Sequence, residues 1–188
     1  MRFLLFLPVG ALLLAGCATT PVAPNVQVNS VNPAAVLASS SYAWVPDRSG
    51  MSTNPLNNAD VWRGVVRTAV DRELTSRGYR KTSMQGAGYV IAYHFVVRNG
   101  GMVTVVDNYY GYDAPGIRVP LDTFVKAHTP TREGEGTLVV DAVDPVAKKL
   151  LWRGWVTTHL KGLLGEERHT AIDGLVATAL KDFPARSR

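Results

Sequence analysis

The chain has 188 residues, 46% of them hydrophobic and 19% charged, which is an ordinary composition for one folded domain. Its 20 basic and 15 acidic side chains give a net charge of +5, but the basic residues are scattered and no nucleic-acid-binding motif accompanies them. A nucleic-acid partner is therefore not expected, and the single cysteine excludes a disulfide within the chain.

The first 16 residues have the organisation of a secretory signal peptide. Arg2 supplies a positive charge, and the apolar stretch from Phe3 to Leu14 is shorter than the roughly 20 residues that a membrane-spanning helix needs. The next residues, Leu-Ala-Gly-Cys at 14–17, resemble the bacterial lipobox, in which small residues admit the peptidase and the cysteine thiol receives a diacylglycerol. We expect removal of residues 1–16 and a durable lipid anchor on Cys17, because several acyl chains hold a protein far more firmly than one.

Residues 17–25 are predicted to be the lipidated cysteine and a flexible tether, since they are small and rich in proline. Residues 26–188 are predicted to form a single domain. Ala18 follows the cysteine where an aspartate would favour the inner membrane, so resemblance to Gram-negative lipoproteins indicates the outer membrane. The expected location is its periplasmic face, with the lipid anchor as the contact with the membrane.

The first half of the domain predicts two short strands and a helix. Val26, Val28 and Val31 lie among polar residues, and the run 42–45 is aromatic and β-branched, so both segments favour short strands. From Val61 to Leu74 apolar residues recur with a period near 3.6, which predicts an amphipathic helix that begins near 58–60 and ends before Gly78.

The second half predicts two hairpins and a second helix. Residues 89–97 are apolar on both faces, which is typical of a central covered strand, and the Asn-Gly-Gly turn at 99–101 leads to a partner strand at 102–106. An irregular loop spans 107–122, and segments 136–143 and 149–159 form the second hairpin, with Trp152 and Trp155 on opposite faces. The last helix runs from about Glu166 to Phe183 and is stopped by Pro184.

These elements predict an α+β fold: a largely antiparallel sheet of five to six strands with two amphipathic helices packed on one face. Several segments together resemble a bacterial lipoprotein family known as domain of unknown function 4136, over most of the chain from about Val26 to Pro184. They are 42–46 (Y-A-W-V-P), 73–79 (E-L-T-S-R-G-Y), 90–94 (V-I-A-Y-H), 135–141 (E-G-T-L-V-V-D) and 148–154 (K-K-L-L-W-R-G). The middle loop is shorter and less glycine-rich than is common there. The resemblance implies lipoprotein signals and an α+β domain, and it supplies no catalytic residues.

No catalytic, metal or cofactor site is expected from the sequence. The four histidines (His94, His128, His159 and His169) are far apart along the chain, and the only thiol is assigned to lipid. No G-x-S-x-G elbow is present. Glu133 and Glu135 could act as paired carboxylates in glycoside cleavage, but acids that flank turns are usually solvated. The sequence therefore indicates a protein that is not an enzyme.

The remaining candidate site is the aromatic loop. Tyr109, Tyr110 and Tyr112, with Trp155 nearby, could stack on sugars or contact a partner protein, or they could cover an open edge of the sheet. The preferred hypothesis is an envelope lipoprotein that acts through contacts with a protein or with an envelope polymer such as peptidoglycan. The alternative is a module that binds a small ligand or a cell-wall glycan through this loop.

Overall fold

In the computed structural model, which describes residues 25–30, 32–46, 59–107, 127–163 and 168–186, the domain is a mixed sheet with helices on one face. The strand order is β1-β7-β6-β4-β2-β3, and β5 pairs with β4. The seven strands are β1 (Asn25–Ser30), β2 (Ser41–Trp44), β3 (Arg80–Lys81), β4 (Tyr89–Asn99), β5 (Met102–Asp107), β6 (Glu135–Val143) and β7 (Leu150–His159). The helices are α1 (Pro33–Ala38), α2 (Ala59–Ser76) and α3 (Arg168–Ala179), with short 3-10 turns at Met84–Gly86 and Leu160–Leu163.

The α+β fold is confirmed, and four of its details are corrected. Among the described residues the sheet has seven strands because the two-residue β3 joins it, and a third helix, α1, precedes β2. The sheet is mostly antiparallel, but β2 pairs in parallel with both β3 and β4. Parallel neighbours need a long crossover between them, and α2 together with its flanking residues provides it. The last helix also ends earlier than predicted, at Ala179, and turns continue to Phe183.

The helices cover one face of the sheet, which we call the helix face. On β4 this face carries Tyr89, Ile91, Tyr93, Phe95 and Val97, which join one large core with apolar residues of α2 and α3. Helix α1 contributes Val36, which is fully buried in the same core. The apolar stripes of α2 and α3 therefore determine which strand residues are covered by helices.

The other face, which we call the second face, carries the alternate residues of β4: Val90, Ala92, His94 and Val96. All four are buried, with exposed fractions of 2% or less, so the prediction of a strand covered on both sides is confirmed. The two tryptophans of β7 lie on opposite faces, as predicted. Trp152 is fully buried in the helix-face core, whereas Trp155 is half-buried and packs against Val96 and Val139.

The two ends of the sheet differ in what they carry. At one end, which we call the Asn25 end, β1 begins opposite Thr157 of β7, and Glu135 pairs with both His159 and Arg98. The β4–β5 turn lies there as well, since Asn99 pairs with Met102. The opposite end carries the β6–β7 connection, residues 144–149. Across the described parts of the chain, no helix combines the length and apolar character needed to cross a bilayer.

Candidate functional site

The residues predicted from the sequence to form a site are only partly described by the structure. Tyr109, Tyr110 and Tyr112 lie outside the described residues, as does Cys17. Trp155 is described, and it lines a cavity on the second face at the Asn25 end of the sheet. This cavity is the candidate functional site.

The cavity has a volume of about 390 Å³, which is within the range of about 300–1,000 Å³ that is typical of small-molecule sites. Strands β1, β6 and β7 form its floor, and the segment 127–132 that precedes β6 forms a wall. Its lining residues are Gln27, Ala127, His128, Thr129, Pro130, Thr131, Arg132, Glu135, Thr137, Trp155, Thr157, Thr158 and His159.

The floor is built by alternation along three paired strands. Residues two apart on a strand point to the same face, and residues that are directly opposite on neighbouring strands share that face. In the observed register Glu135 is opposite His159, and Thr137 is opposite Thr157. Trp155 is opposite Gln27 on β1. The register therefore brings together side chains from separate parts of the chain.

The aromatic side of the cavity consists of Trp155 and His128. Their ring centroids are 5.3 Å apart, with an interplanar angle of 80°, so the imidazole meets the indole edge to face. His128 is only 8% exposed, whereas Trp155 keeps part of its ring accessible. An indole surface inside a polar cavity is a platform on which the apolar face of a ligand ring could stack.

The polar side of the cavity consists of hydroxyl groups and one carboxylate. The hydroxyls of Thr137 and Thr157 lie 2.9 Å apart and share a hydrogen bond. Glu135 is only 8% exposed, and its Oε1 lies 3.8 Å from His159 Nε2. The hydroxyls can donate and accept hydrogen bonds and the carboxylate can accept them, so the lining suits a polar ligand with several hydroxyl or amide groups.

Arg98 attaches the wall of the cavity to the sheet. Arg98 is the second-last residue of β4, and it lies on the second face directly opposite Glu135. Its Nε donates a hydrogen bond to the carbonyl of Pro130 at 2.7 Å. The backbone N–H of Gly134 donates in turn to the Arg98 carbonyl at 2.9 Å. Both contacts hold the segment before β6 against β4, so Arg98 contributes to the position of the wall.

The two carboxylates considered for glycoside cleavage contact different groups. Glu133 is exposed, and its Oε2 accepts a 3.4 Å hydrogen bond from the N–H of Gly101 in the β4–β5 turn. Glu135 points into the cavity beside His159. Within the described parts of the chain, no group of three or more His, Cys, Asp or Glu residues has an arrangement that could hold a metal ion.

A second polar cluster lies further along the second face, away from the cavity. Asp141 of β6 is fully buried and receives two hydrogen bonds from Arg153 of β7. His94 of β4 is 2% exposed, and its Nε2 lies 3.9 Å from Asp141 Oδ2. His94 is therefore part of a buried sheet cluster, whereas the exposed His169 lies on α3.

The sequence pointed to Trp155 but missed most of the other lining residues. The alternation of β6 could have placed Glu135 and Thr137 on one face, and the β6–β7 hairpin could have brought Thr157 beside them. His128 and Gln27 carried no such signal, because their positions depend on the path of the 127–132 segment and on the pairing of β1 with β7.

Comparison with known proteins identifies the family. Residues 27–185 match the model of the family described as "Domain of unknown function (DUF4136)", and the chain belongs to that family. No curated protein is matched. Among solved structures, the chain is similar to a PelC variant dodecamer from Paraburkholderia phytofirmans, with 11% identity, a TM-score of 0.45, and coverage of 87% of this chain and 99% of that chain. A second PelC dodecamer from the same organism shows 13% identity, a TM-score of 0.44 and the same coverage.

Proposed function

We propose that this member of the DUF4136 family is a lipid-anchored envelope protein that binds a saccharide unit of an envelope polymer in the second-face cavity. The cavity carries the proposal, because a partly accessible indole and a ring of hydroxyl, amide and carboxylate groups occupy one concave site. Sugars present apolar ring faces and many hydroxyls, and both kinds of surface have a counterpart in this lining. The proposed activity is binding and not catalysis.

The anchor supports this choice of ligand class. A protein held through Cys17 at the periplasmic face of the outer membrane would meet peptidoglycan continuously, so even weak contacts would be effective at the high local concentration. The cavity volume of about 390 Å³ suits a ligand of on the order of one or two sugar rings. Peptidoglycan is therefore the polymer we expect to be recognised.

Binding can be tested with purified full-length protein in detergent and with isolated peptidoglycan as the probe. We expect the wild-type protein to co-sediment with the polymer and Glu135→Gln to weaken binding about tenfold, which corresponds to the loss of one hydrogen bond to a charged group. Gln27→Ala should weaken binding as well. Gln85→Ala is its matched control, since Gln85 is an exposed glutamine outside the cavity lining.

Two results would contradict the binding proposal. One is peptidoglycan binding that Glu135→Gln and Gln27→Ala both retain in full. The other is the absence of such binding together with crosslinking, from a probe at the cavity rim, to a protein of the native envelope. The second result would support the competing function, in which the anchored domain contacts a protein partner.

The anchor is tested separately through Cys17. We expect Cys17→Ser to abolish labelling by radioactive fatty acid and to move the protein from the membrane fraction to the soluble fraction. A variant that stays in the membrane pellet would contradict the anchor, and it would leave the cavity experiment unaffected because that experiment uses purified protein.

A further inference from the structure

The Asn25 end of the sheet lies close to the expected attachment point of the lipid. Strand β1 begins at Asn25, eight residue-to-residue steps (25 − 17 = 8) from Cys17. An extended chain spans at most about 3.6 Å per residue, so these residues reach no further than about 29 Å. With lipid on Cys17, Asn25 is therefore held within that distance of the bilayer.

The opposite end of the sheet is much further from the tether. Strand β7 pairs with β1 and has 10 residues, which at about 3.3 Å per residue make a strand of roughly 33 Å. With lipid on Cys17, the Asn25 end can reach the bilayer at any extension of the tether, so a second membrane contact at this end would fix the orientation of the domain.

The β4–β5 turn at this end presents apolar side chains to solvent. Gly100 and Gly101 have φ values of +60° and +75°, and a two-residue hairpin turn of type I′ requires positive φ at both positions. A Cβ atom added to either glycine would meet no atom within 4 Å, so the turn projects into open space. Directly after it, Met102 is 62% exposed and Val103 is 43% exposed.

The charged residues at the Asn25 end of the sheet suit a phospholipid surface. Arg132 and Lys161 are both exposed, in the segments that adjoin β6 and β7 at this end. Glu133 is exposed next to Arg132 in the chain, but its carboxylate is directed to the N–H of Gly101. Two cations on flexible stems at the same end of the sheet as an apolar tip can contact lipid phosphates while methionine and valine enter the interface.

We infer that the β4–β5 turn is a second membrane contact, in which Met102 and Val103 enter the phospholipid interface and fix the orientation of the domain on the bilayer. The inference rests on the proposed anchor at Cys17, which supplies most of the affinity. Two apolar side chains alone give little binding energy, so the role of the turn is to orient the domain.

The inference can be tested by placing one environment-sensitive fluorophore on the lipidated full-length protein. Met102→Cys and Val146→Cys form a matched pair, since Val146 is 89% exposed and lies in the β6–β7 connection at the opposite end of the sheet. A lipidated Cys17 has no free thiol, so labelling is confined to the introduced cysteine. The labelled proteins are reconstituted into vesicles of phosphatidylethanolamine and phosphatidylglycerol, with and without brominated acyl chains.

We expect the probe at 102 to show a blue shift in vesicles and to be quenched by bromine, whereas the probe at 146 should show neither effect. Equal responses at the two positions, or a response at 146 alone, would overturn the inference. A protein that labels at two cysteines and fails to float with the vesicles would instead refute the anchor, and the orientation that rests on it would be refuted with it.

Discussion

Arg153 and Asp141 form a bidentate ion pair across β6 and β7. Arg153 Nε lies 2.7 Å from Asp141 Oδ1, and Arg153 Nη2 lies 2.6 Å from Asp141 Oδ2. The carboxylate is fully buried and the guanidinium side chain is 12% exposed. Two parallel hydrogen bonds match the planar fork of arginine to a carboxylate, so this pair also defines the register of the hairpin.

The first prediction concerns the loss of this pair. We expect Asp141→Asn to lower the free energy of unfolding by about 3–5 kcal/mol, because it leaves a largely buried guanidinium without the carboxylate that neutralises its charge. Asp173→Asn is the matched control, since it breaks an exposed ion pair with Arg72 whose side chains are 54% and 36% exposed. The control should leave the free energy of unfolding in urea nearly unchanged, because solvent screens an exposed pair. Equal losses in the two variants would contradict the assigned importance of burial.

The second prediction concerns Asp71 of α2, which joins the helix to two strands. Its Oδ1 accepts hydrogen bonds of 2.8 Å from both Tyr42 Oη and Trp44 Nε1, and its Oδ2 lies 2.7 Å from Lys81 Nζ. We expect Asp71→Ala to destabilise the protein by about 2–4 kcal/mol, since two buried donors lose their acceptor. The same substitution at the exposed Asp182 should change stability by less than about 0.5 kcal/mol. Thermal and urea unfolding would both detect the difference.

The third prediction uses two buried tyrosines that differ in their partners. Burial raises the pKa of both Tyr42 and Tyr89, and the hydrogen bond to Asp71 raises that of Tyr42 further. The Tyr89 hydroxyl has no hydrogen-bond partner among the described residues. We therefore expect Tyr89→Phe to stabilise the protein by about 1 kcal/mol at neutral pH, and Tyr42→Phe to destabilise it by about 1–3 kcal/mol. Equal losses in the two variants would show that the Tyr89 hydroxyl has a partner.

The raised pKa values also predict alkaline sensitivity. Since the folded state holds these protons more tightly than the unfolded chain, the stabilising contribution is complete below about pH 10 and falls as the pH rises above it. The expected loss is about 1.4 kcal/mol per pH unit for each tyrosine. As the pH rises above about 10, the free energy of unfolding should decline less steeply for Tyr89→Phe than for the wild-type protein. An equal slope in the two proteins would argue against a raised pKa of Tyr89.

The sequence predicted the long periodic elements and the short strands β1 and β2, and it missed α1 and β3. The apolar period over α2 and the double-sided apolar run of β4 each cover enough residues to identify the element and its buried face. Helix α1 has six residues and β3 has two, so neither offers a repeat long enough to recognise. The parallel pairing of β2 with β4 also had no local signal, because it depends on how α2 crosses the sheet.

The dependence on contacts between distant segments also explains which residues of the candidate site could be predicted. Alternation along β7 placed Trp152 and Trp155 on opposite faces correctly, since it is a property of one strand. The partners of Trp155 depend on the pairing of β1 with β7 and on the wall before β6, which are contacts between distant segments. The structure explains the Trp-Arg-Gly motif at 152–154. The ring of Trp152 is buried in the core, Arg153 forms the ion pair with Asp141, and Gly154 allows α3 to approach β7 closely.

The fourth prediction concerns that close approach at Gly154. A Cβ atom built there would lie 2.3 Å from the carbonyl oxygen of Ala179, at the end of α3, and 2.3 Å from the indole of Trp152. Backbone atoms and a buried ring cannot move aside easily. We therefore expect Gly154→Ala to lower the free energy of unfolding by about 2–3 kcal/mol, because the added methyl group would push α3 away from the sheet. Gly174→Ala is the matched control, because Gly174 lies within α3 with open space around it. There the added methyl should stabilise the helix by about 0.5–1 kcal/mol. If urea unfolding shows a lower free energy of unfolding for Gly154→Ala and a higher one for Gly174→Ala, the described packing is supported. An unchanged free energy of unfolding in Gly154→Ala would mean that α3 does not approach β7 as closely as described.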